Sequence, residues 1–472
     1  MPSTFFGIET ALRALGTSQT ALDVISNNIA NVNTPGYSRQ TVNISETDPW
    51  PTPDAFSGGL SGQLGSGVTV TSIQRVHNQY LDTQYMNANS QQSYFTAMQN
   101  TLNPVQSAFN EPSDNGLNSM ISSFFNDFQQ LSLDPQSQSA REVIRNQGAA
   151  LASQFNSLAQ SLSSVSPQVD QQITADVKQV NQITSQIAVL NKQIRQVIAS
   201  GQQPNDLKDQ RNQLLNQLSG LVNVQVVPDT NGAGQQTGAL NVFVSGYAVV
   251  QGSSSYNLPT ANSMANGQSV LSDGINSIPV TGGQIGGLMQ AKQLSQTYLT
   301  NLNSLASSLI QSVNAQHRTG YGLDGINNSN FFAGADAASI SLDSSITASV
   351  DAIAAAAAPA NGSQPVLGNG ENALAIADLA QTTQSSLSNQ TFSGYYSGLV
   401  GQVGADIQNA STSATNQQQV IQQITNLQQS TSGVNLDEEL TNMLSFERSY
   451  QAAAKVMTTM DSMLNTLINQ MS

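Results

Sequence analysis

The stretch "VNLDEELTNMLSFERSYQAAAKVMTTMDSMLNTLINQMS", residues 434–472, repeats its apolar residues every seven positions. Leu436, Met443, Tyr450, Met457, Leu464 and Met471 form one line; Phe446, Ala453, Met460 and Leu467 form a second, three residues on. A period of seven is close to two helical turns, so each line runs along one stripe, the pattern of a coiled-coil seam. Asn435 stands at the N-cap position, and Asp437, Glu438 and Glu439 fill the first turn, where the helix dipole favours negative charge. A helix start accounts for these carboxylates better than a catalytic pair does. At the other end Ile8, Leu15, Leu22 and Ile29 are also seven apart, with Leu12, Ile25 and Val32 on the neighbouring ridge, which predicts a helix over 5–32. It is closed by "SNNIANVNTPGYSRQ", residues 26–40, in which Pro35 drives Thr34 out of helical conformation. Matching heptads at both ends predict that the termini pair as a coiled coil. Gly16 and the many Asn, Ser and Thr residues weaken intrinsic helicity. The ends are therefore expected to be loose in the free protein and to order when neighbouring subunits pack round them.

Between the ends the pattern is mainly helical. "GVTVTSIQRV", 67–76, alternates as a strand after a Gly-rich stretch that begins at 56. Helix is expected from Gln79 to a break at Pro104, over 116–131, from about 138 to 165, and over 168–200, where Ile173, Val180, Ile187 and Ile194 repeat by seven. "GQQPN" then turns the chain into a helix carrying Leu207, Leu214, Leu215 and Leu218, which must lie antiparallel to its predecessor. Residues 222–280 read as a small β-rich insertion with alternating valines and a turn at Ser245-Gly246. Helix returns at 284–318 and 371–430, with loops and short elements over 320–370. The expected fold is mainly α with a small β insertion, elongated and multi-domain. Residues 1–40 plus 434–472 make a terminal coiled-coil (inner) domain, 41–221 plus 281–433 a long-helix bundle body with an extended arm, and 222–280 an outer β domain.

Composition narrows the function. The 472 residues suffice for roughly two to four domains. The net charge of −15 disfavours nucleic acid and anionic membrane as partners, since phosphate binding needs clustered Lys and Arg. Only 9% of residues are charged, with Gln, Asn, Ser and Thr in their place. Such a surface can become interface without the desolvation cost of buried ions. Without cysteine there is no disulfide, thiolate metal site or cysteine nucleophile. No apolar run reaches the ~18 residues that a membrane span requires. "MPSTFFGIETALRALG" has no basic n-region and carries Glu9 and Arg13, so no cleavable signal peptide is expected and export would take another route.

The sequence carries little that points to chemistry. His77 and His317 are the two histidines, and neither lies in an HExxH-type motif, so no metal site is expected. No GxSxG elbow and no Walker A loop occur. "GYGLDG" matches GxGxxG through Gly320, Gly322 and Gly325, but it follows a helix rather than a strand, so it reads as a turn cluster. Trp50, between two prolines, reads as a packing anchor. No catalytic residue and no cofactor are expected; the chain does not read as an enzyme.

The two terminal phrases carry a resemblance. "SNNIANVNTPGYSRQ", with Asn27, Asn28, Asn31, Asn33, Thr34, Pro35, Gly36 and Tyr37, resembles the N-terminal signature of the flagellar axial proteins of rod, hook and hook–filament junction. "SGVNLDEELTNMLSFERSYQAAAKVM" resembles their C-terminal partner segment. Three interior segments, 109–144, "LKDQRNQLLNQLSGLVNV" (207–224) and "SVNAQHRTGYGLDG" (312–325), are similar to the hook-associated protein 1 family rather than to other members. The resemblance implies a secreted structural subunit, exported by the flagellar type III pathway and placed extracellularly at the hook tip. Its implied partners are further copies of itself, hook protein, a second hook-associated junction protein, and an export chaperone on the C-terminal helix, with no nucleic acid and no membrane insertion. The residues expected to carry assembly are Ile8, Leu12, Leu15, Leu22, Ile25 and Ile29 with Leu440, Met443, Tyr450, Met457 and Leu464. Another axial protein is the alternative reading, and a secreted adhesin a more distant one.

Overall fold

A computed structural model describes residues 5–49, 64–260, 262–265, 268–272, 275, 277–358 and 366–471. Trp50, the Gly-rich stretch 56–63, and the side chains of Leu467 and Met471 fall outside the described residues. Helix α1 (Phe6–Ala30) is followed by strands β1 (Gln40–Glu46) and β2 (Val68–Arg75). Next come α2 (Gln79–Phe109), α3 (Leu117–Leu133), α4 (Gln138–Ala199) and α5 (Asn205–Leu221). Strands β3 (Val224–Thr230), β4 (Gln236–Val244), β5 (Tyr247–Gln251) and β6 (Ser254–Ser255) form one sheet in that order. A second contains β7 (Asn262–Ala265), β8 (Gln268–Ser272) and β9 (Ser277–Ile278). Helix α6 (Gly283–His317), the short pair β10 (Phe332–Ala333) and β11 (Ser341–Leu342), and helices α7 (Ser344–Ala348), α8 (Glu371–Asp378), α9 (Phe392–Ser432) and α10 (Leu436–Met471) complete the order. The fold is mainly α, with small antiparallel sheets.

Three sequence expectations are corrected. Helix α2 continues through Pro104, and the segments 138–165 and 168–200 are one helix that continues through Pro167. An interior proline costs roughly 3 kcal/mol. Burial of Leu102 and Val105 beside the first, and of Val165 and Val169 beside the second, offsets that cost. The expected helix over 371–430 is interrupted between α8 and α9, where Ser388 and Asn389 take positive φ.

The chain forms two compact units. One contains residues 1–90, 179–258 and 417–472; the other contains 91–178 and 259–416. Helices α2, α4 and α9 contribute residues to both. Residues 222–280 hold two separate sheets, one in each unit. In the first unit the β4–β5 turn places Ser245 at φ 48° and Gly246 at φ 83°, the left-handed pair that a two-residue hairpin requires. Asn191 of α4, fully buried, fixes this sheet against the helices. Its amide donates to the carbonyls of Leu240 (2.8 Å) and Gly252 (2.7 Å), and its oxygen accepts from Arg211 of α5 (2.9 Å) and the Leu240 N–H (3.2 Å).

The second unit is organised round aromatic rings. Phe124 packs against Phe125, Phe128, Phe331 and Phe332 with ring centroids 5.2–5.4 Å apart, and Phe125 stacks on Phe392. Helix α3 supplies three of these rings because its apolar residues recur at helical spacing along one buried face. Arg141 of the same unit is fully buried, donating to the carbonyls of Pro135, Val350 and Ile353. Burial lowers its guanidinium to about 10. His317 accepts from the Ala354 N–H at Nε2 (2.9 Å) and lies 2.8 Å from the Ser329 carbonyl through Nδ1, so the neutral ring carries its proton on Nδ1. Burial holds it down to about 4. The glycines of 320–325 sit in a turn whose backbone bonds to Asp351 and Ala356.

Candidate assembly interface

Helices α1 and α10 pack antiparallel. Met460 lies against Gly7, where a Cβ would stand 2.6 Å from its Cε, and Asn28 donates to Glu439 Oε2 at 3.1 Å. The buried positions of α1 are Ala11, Thr17, Ser18, Ala21, Val24, Ile25 and Asn28. Ala11, Ser18 and Ile25 are seven apart, so the seam keeps the heptad period, but small side chains fill most of it. On α10 Glu439 and Ala453 are buried, and Phe446 and Met460, which continue their line, are half-buried. Asn435 caps α10, accepting from the Asp437 N–H at 3.0 Å.

The residues expected to carry assembly divide by exposure. Ile25 is buried, while Ile8, Leu15, Leu22, Ile29, Met443, Met457 and Leu464 are half-buried. Leu12 is 58% exposed, Leu440 48% and Tyr450 39%. Phe5, just before α1, and Leu436, Leu444, Val456, Met463 and Ile468 on α10 are exposed as well. The helix pair buries its small residues and leaves large aliphatic ones facing outward.

The terminal motif is a hydrogen-bonded junction. Asn28, 1% exposed, makes four bonds. Its amide donates to Gln40 O (2.9 Å) and Glu439, and its oxygen accepts from Gln40 N (2.9 Å) and Tyr37 Oη (2.8 Å). One side chain thus joins α1, the turn, β1 and α10. Asn31 donates to the Asn27 carbonyl and side-chain oxygen, and accepts from Thr34 Oγ1 at 3.1 Å. Gly36 adopts φ 80°, the left-handed value that reverses the chain, while Asn33 and Pro35 are exposed. Burial, followed by the charges of Asp206, Asp209 and Glu439, pushes the Tyr37 hydroxyl up to about 12 and keeps it a neutral donor.

The residues just past the motif were not singled out from sequence, yet they hold the junction. Arg39 pairs with Glu438 at 2.7 Å, and its N–H donates to the Ser432 carbonyl at 2.8 Å. Ser38 donates twice to Asp209, which also binds Arg75 at 2.6 Å. Gln40 donates to Asp206 (2.9 Å) and accepts from Asn205 (3.1 Å). Asn205, Asp206 and Asp209 all belong to the start of α5, so the first turns of that helix receive Ser38 and Gln40. Glu438 and Glu439 start a helix and also bind Arg39 and Asn28. The available signal was the polar tail "SRQ", whose side chains had no local helix to serve.

Among the described residues no cluster of three or more metal-ligating side chains occurs, and no helix is long and apolar enough to cross a membrane. His77 pairs with Asp82 at 3.0 Å in the first unit.

Family models match three parts of the chain. One described as Flagella basal body rod protein covers residues 8–37, the α1 helix and its motif, and one described as Flagellar basal body rod FlgEFG protein C-terminal covers 427–471. The model for the Flagellar hook-associated protein FlgK helical domain covers 102–332. The solved structure of the flagellar hook junction protein FlgK from Burkholderia pseudomallei shares the fold, with TM-score 0.63 at 21% identity over 74% of this chain and 100% of that one. Flagellar hook-associated protein 1 of Bacillus subtilis is 31% identical over 510 residues, spanning 100% of this chain and 99% of the relative. The chain belongs to the flagellar hook-associated protein 1 family. The Salmonella typhimurium member is 28% identical over 98% of this chain and 99% of its own length. Membership makes this a flagellar axial structural protein, and the rod-protein models fall on the helices that form the terminal pair.

Proposed function

We propose that the protein is the subunit that joins hook to filament, exported through the flagellar type III pathway and assembled at the hook tip. Its partners on this reading are further copies of itself, hook protein and a second hook-associated junction protein. An export chaperone would hold α10 before secretion. The observation that carries the reading is the set of exposed large apolar side chains on α1 and α10, among them Leu12, Leu440 and Tyr450. A helix pair that already has its own seam has no internal use for them; a neighbouring subunit has. The Asn28 junction fixes the angle at which the pair leaves the rest of the first unit, so that every copy presents the same set.

Deleting the gene is expected to give hooks without filaments, with flagellin released to the medium, as seen by electron microscopy and immunoblotting. Complementation with Leu22→Asp or Leu464→Asp is expected to fail while the purified variants keep the wild-type melting of the second unit. Normal filaments on the deletion strain, or on both variants, would overturn the reading.

A further inference from the structure

A groove of about 880 Å³ opens in the first unit, away from the terminal seam, and Arg75, His77, Lys208 and Arg211 line it. Asp82 is the acidic residue of the lining, and it is occupied, accepting from His77, Asn212 and Gln428. Arg75 is held by Asp209. Lys208 and Arg211 remain, and neither has an ion-pair partner among the described residues. Lys208 Nζ reaches only Gln203 Oε1, at 3.4 Å. Arg211 is 4% exposed; its Nη1 donates to two neutral oxygens, of Asn191 and Gly238, and its Nε has no partner. Burial and the Arg75 charge lower Arg211 to about 10, and burial with Arg75 and Arg211 lowers Lys208. In a chain of net charge −15, this groove gathers cations and is short of carboxylates. Uncompensated buried charge is costly, and an added carboxylate would relieve it.

The same unit carries carboxylates without cations. Glu46 and Asp48 are exposed and have no cationic partner among the described residues. They stand at one end of the β1–β2 ribbon, where Glu46 pairs with Val68, and the groove opens at the other end, where Gln40 pairs with Arg75. Six residues separate the two ends, about 20 Å at ~3.3 Å per residue. Acid at one end of a ribbon and base at the other is the polarity of a head-to-tail contact, which repeats without closing on itself. We propose that the groove receives the carboxylates of Glu46 and Asp48 from a second copy of the chain. The inference rests on the assembly reading above and assigns a polar contact to it, separate from the exposed apolar side chains.

The test is charge reversal in the full-length chain, expressed in a cell lacking its own copy. Lys208→Glu, and separately Glu46→Lys with Asp48→Lys, are expected to cut immunolabelled hook tips about tenfold, the equivalent of ~1.4 kcal/mol per contact. Melting of the purified variants should match wild type, and Lys208→Arg should assemble normally. All three reversals in one chain are expected to restore labelling to within about twofold, because each acidic groove then meets a basic end. Normal assembly of the single reversals overturns the proposal. So does a combined variant no better than its worse parent, which would give the groove's anion to hook protein or to a small oxyanion. Failure of the assembly reading has a different signature, since filaments would then persist with Leu464→Asp.

Discussion

The terminal helix pair and the phenylalanine core use opposite means of holding a chain in place. Round Phe124 the rings bury one another and the polar groups bond to backbone within the unit. Along α1 and α10 the seam is small, the large side chains face outward, and an asparagine with four hydrogen bonds fixes the junction. The first arrangement is complete in one chain. The second supplies direction through hydrogen bonds and leaves large apolar side chains exposed, which the proposed function assigns to a neighbouring subunit.

The largest effect expected from breaking this contrast is in the core. Phe124→Ala should cost about 3–5 kcal/mol, read as an early transition in thermal or denaturant unfolding. A loss below ~1 kcal/mol would show that the cluster is not the mainstay of its unit.

The next effect comes from pH. The folded state keeps His317 neutral, at about 4 against the ordinary 6.5, because of burial, with the neighbouring Arg141 charge acting the same way and the Ser329 carbonyl, Asp343 and Asp324 opposing it. Above pH 6.5 both states are neutral and nothing is lost. As pH falls from 6.5 toward 4 the unfolded chain takes up a proton that the folded chain refuses. Stability then declines by up to about 1.4 kcal/mol per pH unit. Stability curves of wild type and His317→Gln should diverge in slope across that window; parallel curves would remove His317 from the account.

Smaller effects belong to the junction and the exposed apolar side chains. Asn28→Ala should cost about 1–3 kcal/mol by stranding the Gln40 backbone groups and Tyr37. Asn28→Asp should be worse at neutral pH, where its carboxylate faces that of Glu439, and partly recover in acid as carboxylates are protonated. Equal stability of Asn28→Asp at acid and neutral pH would count against that geometry. Leu440→Asp should change the stability of the isolated chain by less than ~0.5 kcal/mol, as exposed positions do, yet abolish incorporation at the hook tip. Hydrogen exchange should report the same difference between regions. Amides of 8–29 are expected to exchange far faster than those of α3 in the free protein, and equal protection would remove the reason for coupling terminal order to assembly.

The sequence determined the periodic elements, because heptads, caps and turn residues act within a few positions along the chain. The two terminal helices, the Asn435 cap and the Ser245-Gly246 turn were all legible for that reason. So was the motif from Asn27 to Tyr37, whose residues identify it without its bonds. Tertiary structure decided what depends on residues far apart. Pro104 reads locally as a break and the segments on either side of Pro167 as two helices, and burial of the neighbouring residues overrode both readings. The valine-rich stretch after 221 read as one β domain, but its strands divide into two sheets in two units. The pairing of Asn28 with Glu439, and of Ser38 with Asp209, spans 411 and 171 residues, a distance over which no local pattern carries information. The period of the apolar line specified a helix with a seam. Which stripe became the seam and which stayed open was settled by its small residues, Gly7, Ala11, Ser18 and Ala21 among them, because small side chains let two helices approach closely and Asn28 reaches across to Glu439.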